Sequence, residues 1–416
     1  MKSNPIKFLN YLKKNISTVH SEKVKQTIEE IVLLVDSDDW IDEGEVLLDE
    51  QENIKSFSID ESVTLSVVYI VKNEENYILN SLESIDWIAD EIVIVDTGST
   101  DRTVEIIQNL SDDRIKLSHF KWNNDFSEAR NFAIRQSKCD WILVLDADEL
   151  LMDKKTLLKD MLAYFAMFEN LQSTIFNLKI RRSKETYRTG KIFKNVSSIS
   201  YKGKVHEVLT CEEKTKHINL DIEVQGENRV TTDKKELYNS LLLENISMYP
   251  AEPRWVYLYL RDNLDTLSKE DIIDFSKHFL IDSTDYYIVR IKILVCIKLI
   301  QIGHFEEFIE KFEEIEADGI RFSDFVFLNF LYKLLKLQNE ISEISIDYFT
   351  IFNKISSFDC DDRIFSDKYF QSLLGTFLIY GGMFRKATTV YKSMLENDGD
   401  IPWYFTNSSL NDFLRH

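Results

Sequence analysis

Acidic side chains follow short apolar segments at three points in the first half of the chain. SVVYIV is followed by Lys72-Asn73-Glu74-Glu75, EIVIV by Asp96-Thr97-Gly98-Ser99, and WILVL by Asp146-Ala147-Asp148-Glu149. Two carboxylates one residue apart suit a hard cation such as Mg²⁺ or Mn²⁺, which binds oxygen and leaves positions open for substrate phosphates. Asp146-Ala147-Asp148, which we call the triplet, therefore predicts a metal-assisted phosphate site. Asp-x-Asp also arises by chance in acidic proteins and caps helices.

The elements around these motifs alternate between strand and helix from Thr64 onward. Short apolar runs, among them TLSVVYIV, RIKLSHF and WILVL, are separated by segments with helical spacing. This alternation predicts βαβ units and a parallel sheet buried on both faces. Ligands bind such a sheet beyond the carboxyl ends of its strands, where the acidic motifs lie. None of the three motifs is the GxGxxG of a dinucleotide-binding fold, which disfavours an oxidoreductase.

The sequence predicts three domains. Residues 1–62 contain amphipathic helical spacing followed by an acidic linker, residues 36–52. Residues 63–225 form the α/β unit, which ends in strand-like segments predicted to extend its sheet. Residues 226–416 are predicted to be helical, and the similar segments GHFEEFIEKF and GMFRKATTVY suggest tetratricopeptide-like hairpins. An ordinary helical bundle stays open as the alternative.

Composition restricts the partners. With a formal net charge of -21, the chain would repel nucleic acid and anionic membranes alike. The four cysteines form no CxxC pair, which fits a reducing cytoplasm. The sequence offers no continuous apolar signal region and no uninterrupted membrane-spanning segment. We therefore expect a cytoplasmic bacterial protein that acts on a neutral or cationic acceptor.

Four ordered segments carry a resemblance to a known family. They are SVVYIVKNEENYILNSLESI, DEIVIVDTGSTDRTVEII, WNNDFSEARNFAI and DWILVLDADEL. Together they resemble glycosyltransferase family 2, whose members adopt the GT-A fold, and the segments RTGKIFKN and YKGKVHEV extend the resemblance to about residue 225. Within the family, the chain is most similar to the bacteriocin peptide glycosyltransferases, which share the WxNDFSxARN and GKVHE elements and a helical C-terminal region.

The resemblance implies a role for each matching position. Main chain at Ile70 and Lys72 would line the uracil and ribose of a UDP-sugar, and Asp96 would bind the base. Arg130 would contact the nucleotide, since a guanidinium suits a planar base or a phosphate. The triplet Asp146-Ala147-Asp148 would hold the ribose and the metal that bridges the two phosphates, so that metal and arginine offset the charge of the leaving group.

His206 and Glu207 form a second candidate pair. An inverting transfer needs a base opposite the leaving group, and a carboxylate suits that task, so Glu207 is the predicted base. His206 is predicted either to join Asp146 and Asp148 as a metal ligand or to orient the acceptor. A histidine packed at a strand end is the structural alternative.

The predicted activity is transfer of a hexose, glucose or N-acetylglucosamine, from a UDP-sugar to Cys, Ser or Thr of a bacteriocin-type peptide, with the helical domain binding the acceptor or forming a homodimer. One alternative is a family 2 enzyme that modifies lipopolysaccharide or a cell-wall glycan. Such enzymes commonly carry a basic amphipathic or membrane-spanning segment, which the sequence does not show. A second alternative is a non-enzymatic scaffold, which the intact motif acids and Arg130 disfavour.

Overall fold

The computed structural model describes residues 5–35, 62–356 and 384–398, and the isolated positions 58–59, 375, 378 and 379, with short gaps at 153–156, 169–170, 184, 213–214, 228–231, 282, 284 and 316–322. The described chain divides into two compact units, Met1–Pro250 and Ala251–His416. The predicted acidic linker at 36–52 lies outside the described residues. The domain boundaries predicted at 62 and 225 stay predictions.

An eight-stranded sheet forms the centre of the first unit, with strand order β3-β2-β1-β4-β7-β6-β10-β5. Strands β8 and β9 form a separate two-stranded sheet. The strands are β1 (Leu65–Val71), β2 (Glu91–Asp96), β3 (Ile115–His119), β4 (Trp141–Val144), β5 (Glu149–Leu151), β6 (Thr174–Arg182), β7 (Glu185–Lys194), β8 (Ile199–Lys202), β9 (Val208–Cys211) and β10 (Lys216–Gly226).

The four strands β3, β2, β1 and β4 are parallel, and we call them the parallel half of the sheet. Every residue of β2 and β4 is buried, which explains why these strands are continuous apolar runs. The register pairs Val71 with Asp96, so the carboxyl ends of β1 and β2 lie side by side. This half confirms the predicted parallel sheet.

The strands β7, β6, β10 and β5 form the mixed half of the sheet. β7 pairs antiparallel with both β4 and β6, whereas β10 is parallel to β6 and antiparallel to β5. Along β6 and β10, buried and more exposed residues alternate, so one face of these strands packs on the core. The predicted extension of the sheet is therefore an integral half of it.

Helices cover the sheet and the loops of the first unit. In α1 and α2, apolar residues recur at helical spacing, and Phe8, Leu9, Leu12, Ile28 and Ile31 join the core beneath the sheet. These two helices are predicted by the sequence. The helices are α1 (Pro5–Lys14), α2 (Glu22–Leu34), α3 (Ile78–Ile85), α4 (Thr103–Asn109), α5 (Phe126–Ile134), α6 (Leu157–Ala166) and α7 (Thr232–Met248).

The described part of the second unit consists of helices joined by turns. Gly303 adopts a φ of 77° between α10 and α11, a conformation that glycine reaches without the strain of a Cβ. Phe308, Phe312 and Phe325 pack where α11 meets α12. The helices are α8 (Pro253–Asn263), α9 (Lys269–Ser276), α10 (Tyr286–Gln301), α11 (Phe305–Glu313), α12 (Ser323–Ser356) and α13 (Phe384–Asp398). Among the described residues, no helix is long and apolar enough to cross a membrane.

Candidate active site

The loops that follow β1 and β2 are joined by hydrogen bonds between side chains and backbone. Asn73, at a φ of 57°, accepts a bond from the Thr100 backbone and donates its own N–H to Ser99. The backbone of Glu75 donates to Asp101, and its carboxylate accepts from the backbone of Arg102. The polar residues of these two motifs therefore shape the loops at the sheet edge, in addition to any contact with a ligand.

Asp96 lies buried at the end of β2. Its carboxylate accepts bonds from the backbone N–H groups of Gly98 and Ser99, at 3.1 and 2.9 Å, and faces Nδ1 of His119 at 3.2 Å. Burial alone would raise the pKa of Asp96, but the bonds from Ser99 and Gly98 and the contact with His119 hold it below its usual value. Asp96 thus stays ionised beside the carboxyl end of β1, where Ile70 and Lys72 lie.

Arg130 connects the triplet with the predicted base. It lies on α5, whose N-terminus is capped by Asp125 and whose Asn131 exchanges two hydrogen bonds with the backbone of Tyr201 on β8. Its Nε donates to Glu207 at 2.5 Å and its Nη2 to Asp146 at 2.6 Å. One buried guanidinium therefore pairs with two carboxylates, through its Nε and its Nη2.

The charges around Arg130 shift its own pKa and that of Asp146. Burial alone would raise the pKa of Asp146, but Arg130, Lys191 and Arg182 together hold it well below its usual range. The pKa of Arg130 is correspondingly raised, because the carboxylates of Asp146 and Glu207 outweigh the opposing effect of burial. The pair is thus fully charged in the folded protein.

The loop that carries His206 and Glu207 has an uncommon backbone conformation and is held by helix α7. Gly203 has a φ of 98°, and His206 a φ of 49°, which is uncommon for a residue with a side chain and often accompanies function. Buried Asn245 on α7 accepts a bond from the Lys204 backbone at 2.8 Å and donates to the Val205 carbonyl at 3.1 Å. Helix α7 therefore fixes the segment just before the predicted base.

A cluster of ion pairs lies directly beside the triplet. Glu149 is buried, accepts a bond from the Asp146 backbone at 2.9 Å, and pairs with Lys191 at 2.7 Å and Arg182 at 3.0 Å. Arg182 also faces carboxylate oxygens of Asp146 at 3.4 Å and of Asp148 at 3.8 Å. Acidic and basic side chains therefore alternate within this cluster of ion pairs.

The two acids of the triplet fit a divalent cation in part. Their side chains are 32% and 12% exposed, and a hard cation held by one or two carboxylates takes its remaining ligands from phosphates and water. No group of three or more His, Cys, Asp or Glu side chains in the described chain could hold a metal ion. The predicted set of Asp146, Asp148 and His206 is therefore not assembled there, and His206 instead contacts the ring of Tyr238 edge-on.

The structure brings Arg130, Asp146 and Glu207 into direct contact, and places Asp148 and Ala147 in the same loop. It adds residues that the sequence analysis did not assign, namely His119, Glu149, Arg182, Lys191, Tyr238 and Asn245. Glu149 directly follows the triplet, and Lys191 lies in the RTGKIFKN segment that carries the family resemblance. Both could therefore have been assigned to the site from the sequence. For Arg182, Tyr238 and Asn245 no signal in the sequence links them to the triplet.

Comparison with known proteins identifies the class. Residues 66–204 match the family model described as Glycosyl transferase family 2, and this part of the chain is a domain of that family. The α/β domain is thus of the GT-A type, and the chain is a nucleotide-sugar glycosyltransferase with a helical C-terminal region.

Curated relatives extend the match. The SPbeta prophage-derived glycosyltransferase SunS of Bacillus subtilis (strain 168) is 24% identical over 309 residues, which cover 71% of this chain and 72% of SunS. The lipopolysaccharide core biosynthesis glycosyltransferase LpsC of Rhizobium meliloti is 39% identical over 103 residues, 24% of this chain and 37% of LpsC. The first alignment is longer than the family domain, and the second is shorter than it.

Among solved structures, S. aureus TarS is similar at low identity. TarS 1–349 in complex with UDP-GlcNAc gives a TM-score of 0.36 at 17% identity, covering 65% of this chain and 91% of that one. A longer TarS structure gives 0.34 at 15% identity, and the match spans 59% of this chain and 54% of that one.

Proposed function

We propose that this protein is an inverting glycosyltransferase that moves a hexose from a UDP-sugar to a Cys, Ser or Thr side chain of a peptide. The observation that carries the proposal is the contact of Arg130 with both Asp146 and Glu207. One fixed guanidinium then holds the donor-side acid and the predicted base close to each other. An inverting transfer needs a base near the donor, because that base takes the acceptor proton as the acceptor attacks.

In the proposed reaction the acceptor sulfur or oxygen attacks the anomeric carbon of the sugar. The bond from that carbon to the diphosphate oxygen breaks, its electron pair leaves with UDP, and the acceptor proton passes to Glu207. Asp96 and the main chain at Ile70 and Lys72 would hold the nucleoside. Asp146 and Asp148 would hold a Mg²⁺ or Mn²⁺ ion that supplies positive charge to the diphosphate.

The peptide acceptor is supported by two features of the chain. The WxNDFSxARN and GKVHE segments resemble those of the bacteriocin peptide glycosyltransferases; the first contains Arg130 and the second contains Glu207, which pair in the structure. The alignment with SunS covers 71% of the chain, although the family domain spans only residues 66–204. The helical region would bind the acceptor, since helical repeats offer extended surfaces for peptides.

A second candidate acceptor is a lipopolysaccharide or cell-wall glycan. Similarity to LpsC over 103 residues favours it, but that alignment covers 24% of the chain, whereas the alignment with SunS covers 71%. Both candidates share the proposed donor site and differ in the acceptor.

The function is tested with the full chain, UDP-glucose or UDP-N-acetylglucosamine, Mn²⁺, and an unstructured peptide with one Cys or its Ser twin. Mass spectrometry should show a peptide heavier by one hexose unit, and Asp148→Ala should abolish the product while the exposed Asp160→Ala keeps it. Sugar transfer to a lipid-linked glycan but to no peptide would overturn the peptide acceptor. Activity of Asp148→Ala equal to wild type would overturn the role of the triplet.

The acceptor role of the helical region has its own test. A fragment of residues 1–250 keeps α7 and its Asn245, and so keeps the loop before Glu207 fixed. We expect this fragment, if circular dichroism shows it folded, to hydrolyse the UDP-sugar and to transfer little sugar to peptide. Peptide transfer at the full-chain rate would remove the acceptor role.

A further inference from the structure

Arg182 occupies the centre of the ion-pair cluster beside the triplet. It is the last residue of β6, and its side chain is 21% exposed. Its guanidinium lies 3.0 Å from Glu149, 3.4 Å from Asp146 and 3.8 Å from Asp148. One cation thus faces all three acids that follow β4, at the place where a diphosphate must lie if Asp146 and Asp148 serve the donor.

Two of the acids around Arg182 each have another cation that lies closer. Asp146 has a shorter pair with Arg130, at 2.6 Å, and Glu149 a shorter pair with Lys191, at 2.7 Å. Arg182 is therefore the second cation partner of each of these two carboxylates. Asp146 and Glu149 would therefore each keep a close cation partner if the guanidinium of Arg182 also bound a phosphate.

The chain makes room for Arg182 and fixes it. Its Nη1 donates to the Glu227 carbonyl at 2.8 Å, and its side chain packs against Gly226 at the end of β10. A Cβ at Gly226 would lie 3.1 Å from Nε and 3.2 Å from Cζ of Arg182, closer than nearly all such contacts. Backbone groups at the end of β10 therefore help to fix the guanidinium beside the triplet.

Unsatisfied donors point to an absent acceptor. Nε of Arg182 is buried, and it has no hydrogen-bond partner among the described residues. The same holds for Nη1 of Arg130, a residue that is nine-tenths buried. Both guanidinium groups pair with Asp146, so the open donors belong to one neighbourhood. Buried donors of this kind are satisfied in proteins by a ligand or by ordered water.

We propose that Arg182 binds the diphosphate of the nucleotide-sugar donor and offsets the negative charge that the departing nucleoside diphosphate gains. The proposal rests on the nucleotide-sugar transfer proposed above. As the bond to the anomeric carbon breaks, its electron pair stays on the phosphate oxygen, and a guanidinium suits phosphate because its N–H groups match two oxygens. Arg182 would then act together with Arg130, from the opposite side of Asp146.

The neighbouring Arg181 provides a matched control. It precedes Arg182 on β6, points to the other side of the strand, is 61% exposed and pairs with Glu223 at 3.5 Å. The experiment compares Arg182→Gln with Arg181→Gln in the full chain. Affinities for UDP, GDP and uridine are measured by calorimetry, with EDTA and with Mn²⁺.

We expect Arg182→Gln to weaken UDP binding roughly tenfold to a hundredfold, the size of one lost charge-assisted bond, and to leave uridine binding as in wild type. Arg181→Gln should leave both unchanged. Equal UDP affinity in the two variants would overturn the role of Arg182, and so would a loss of uridine affinity as large as that of UDP. If the wild-type protein binds neither UDP nor GDP, that result overturns the proposed nucleotide-sugar function itself.

A second variant keeps the charge of Arg182 but displaces its guanidinium. Gly226→Ala adds a methyl group that must push Arg182 aside by a few tenths of an ångström. UDP binding should weaken severalfold while uridine binding stays at the wild-type value, even if Arg182→Gln fails to fold. Wild-type UDP affinity in Gly226→Ala would contradict the proposal.

Discussion

The parallel and mixed halves of the large sheet differ in the charges that they bring to the site. The parallel half supplies acids, Asp96 at the end of β2 and Asp146 and Asp148 after β4. The mixed half supplies cations, Arg182 from β6 and Lys191 from β7, with Glu149 between them. Arg130 on α5 and Glu207 after β8 complete the set.

The difference reflects how each half is built. The parallel strands are buried apolar runs, so their polar residues collect at the carboxyl ends, where the next loop begins. Strands of the mixed half alternate between core and surface, so a charged side chain can stand anywhere along them and point into the site. Charge balance at the site therefore depends on the register between the halves.

Removing Arg130 should have the largest effect, because it leaves Asp146 and Glu207 without their short ion pair. We expect Arg130→Ala to lower the free energy of unfolding by about 3–5 kcal/mol, the usual size for an uncompensated buried charge. Urea denaturation measures this change. Arg135→Ala, exposed at the end of the same helix, should stay within about 0.5 kcal/mol of wild type. A loss no greater than that of Arg135→Ala would show that the ion pairs of Arg130 with Asp146 and Glu207 do not stabilise the fold.

Glu207→Gln keeps the shape of the side chain but removes the basic carboxylate. Transfer to the acceptor should fall about 10²-fold or more, because the acceptor proton loses its base, while UDP affinity stays near that of wild type. Steady-state kinetics and calorimetry provide the two readouts, and the exposed Glu212→Gln serves as control. Full transfer by Glu207→Gln would assign the base elsewhere.

Asn245→Leu tests the support of the base. It removes both hydrogen bonds from α7 to the Lys204 and Val205 backbone, and leaves two buried backbone groups without that partner. The free energy of unfolding should fall by about 1–3 kcal/mol, and transfer should fall more than UDP binding does. Glu236→Gln changes another exposed residue of α7 and should change neither quantity. Equal losses in transfer and in UDP binding would mean that α7 supports the whole site and not the base.

The acids of the parallel half predict a dependence of stability on pH. The pKa of Asp96 and that of Asp146 are lowered in the folded protein, so the unfolded chain binds these protons more readily. Their contribution is therefore present above about pH 4, the pKa of an unfolded aspartate, and is lost as the pH falls through the folded values. Urea denaturation between pH 7 and 3 should show this loss. Asp96→Asn should have a shallower slope, and a slope equal to that of wild type would contradict the assignment.

The sequence by itself determined the parallel half and its acids. Hydrophobic runs that end in Asp96 or in the Asp146–Asp148 triplet specify buried strands, and chain topology then requires their carboxyl ends to meet. The N-terminal helices, the helical C-terminal region and the glycosyltransferase family follow from equally local patterns. Each of these conclusions needs only residues that are close in sequence.

Tertiary structure alone decided which charges meet. Arg130 and Glu207 are separated by 77 positions, and Arg182 and Asp146 by 36. Asn245 holds a loop 40 residues before it. Such pairs depend on strand register and on helix docking, where a shift of one residue turns a side chain to the other face of its strand. Local spacing carries no record of that register, and for this reason Arg182 and Lys191 were assigned to the site only from the folded chain.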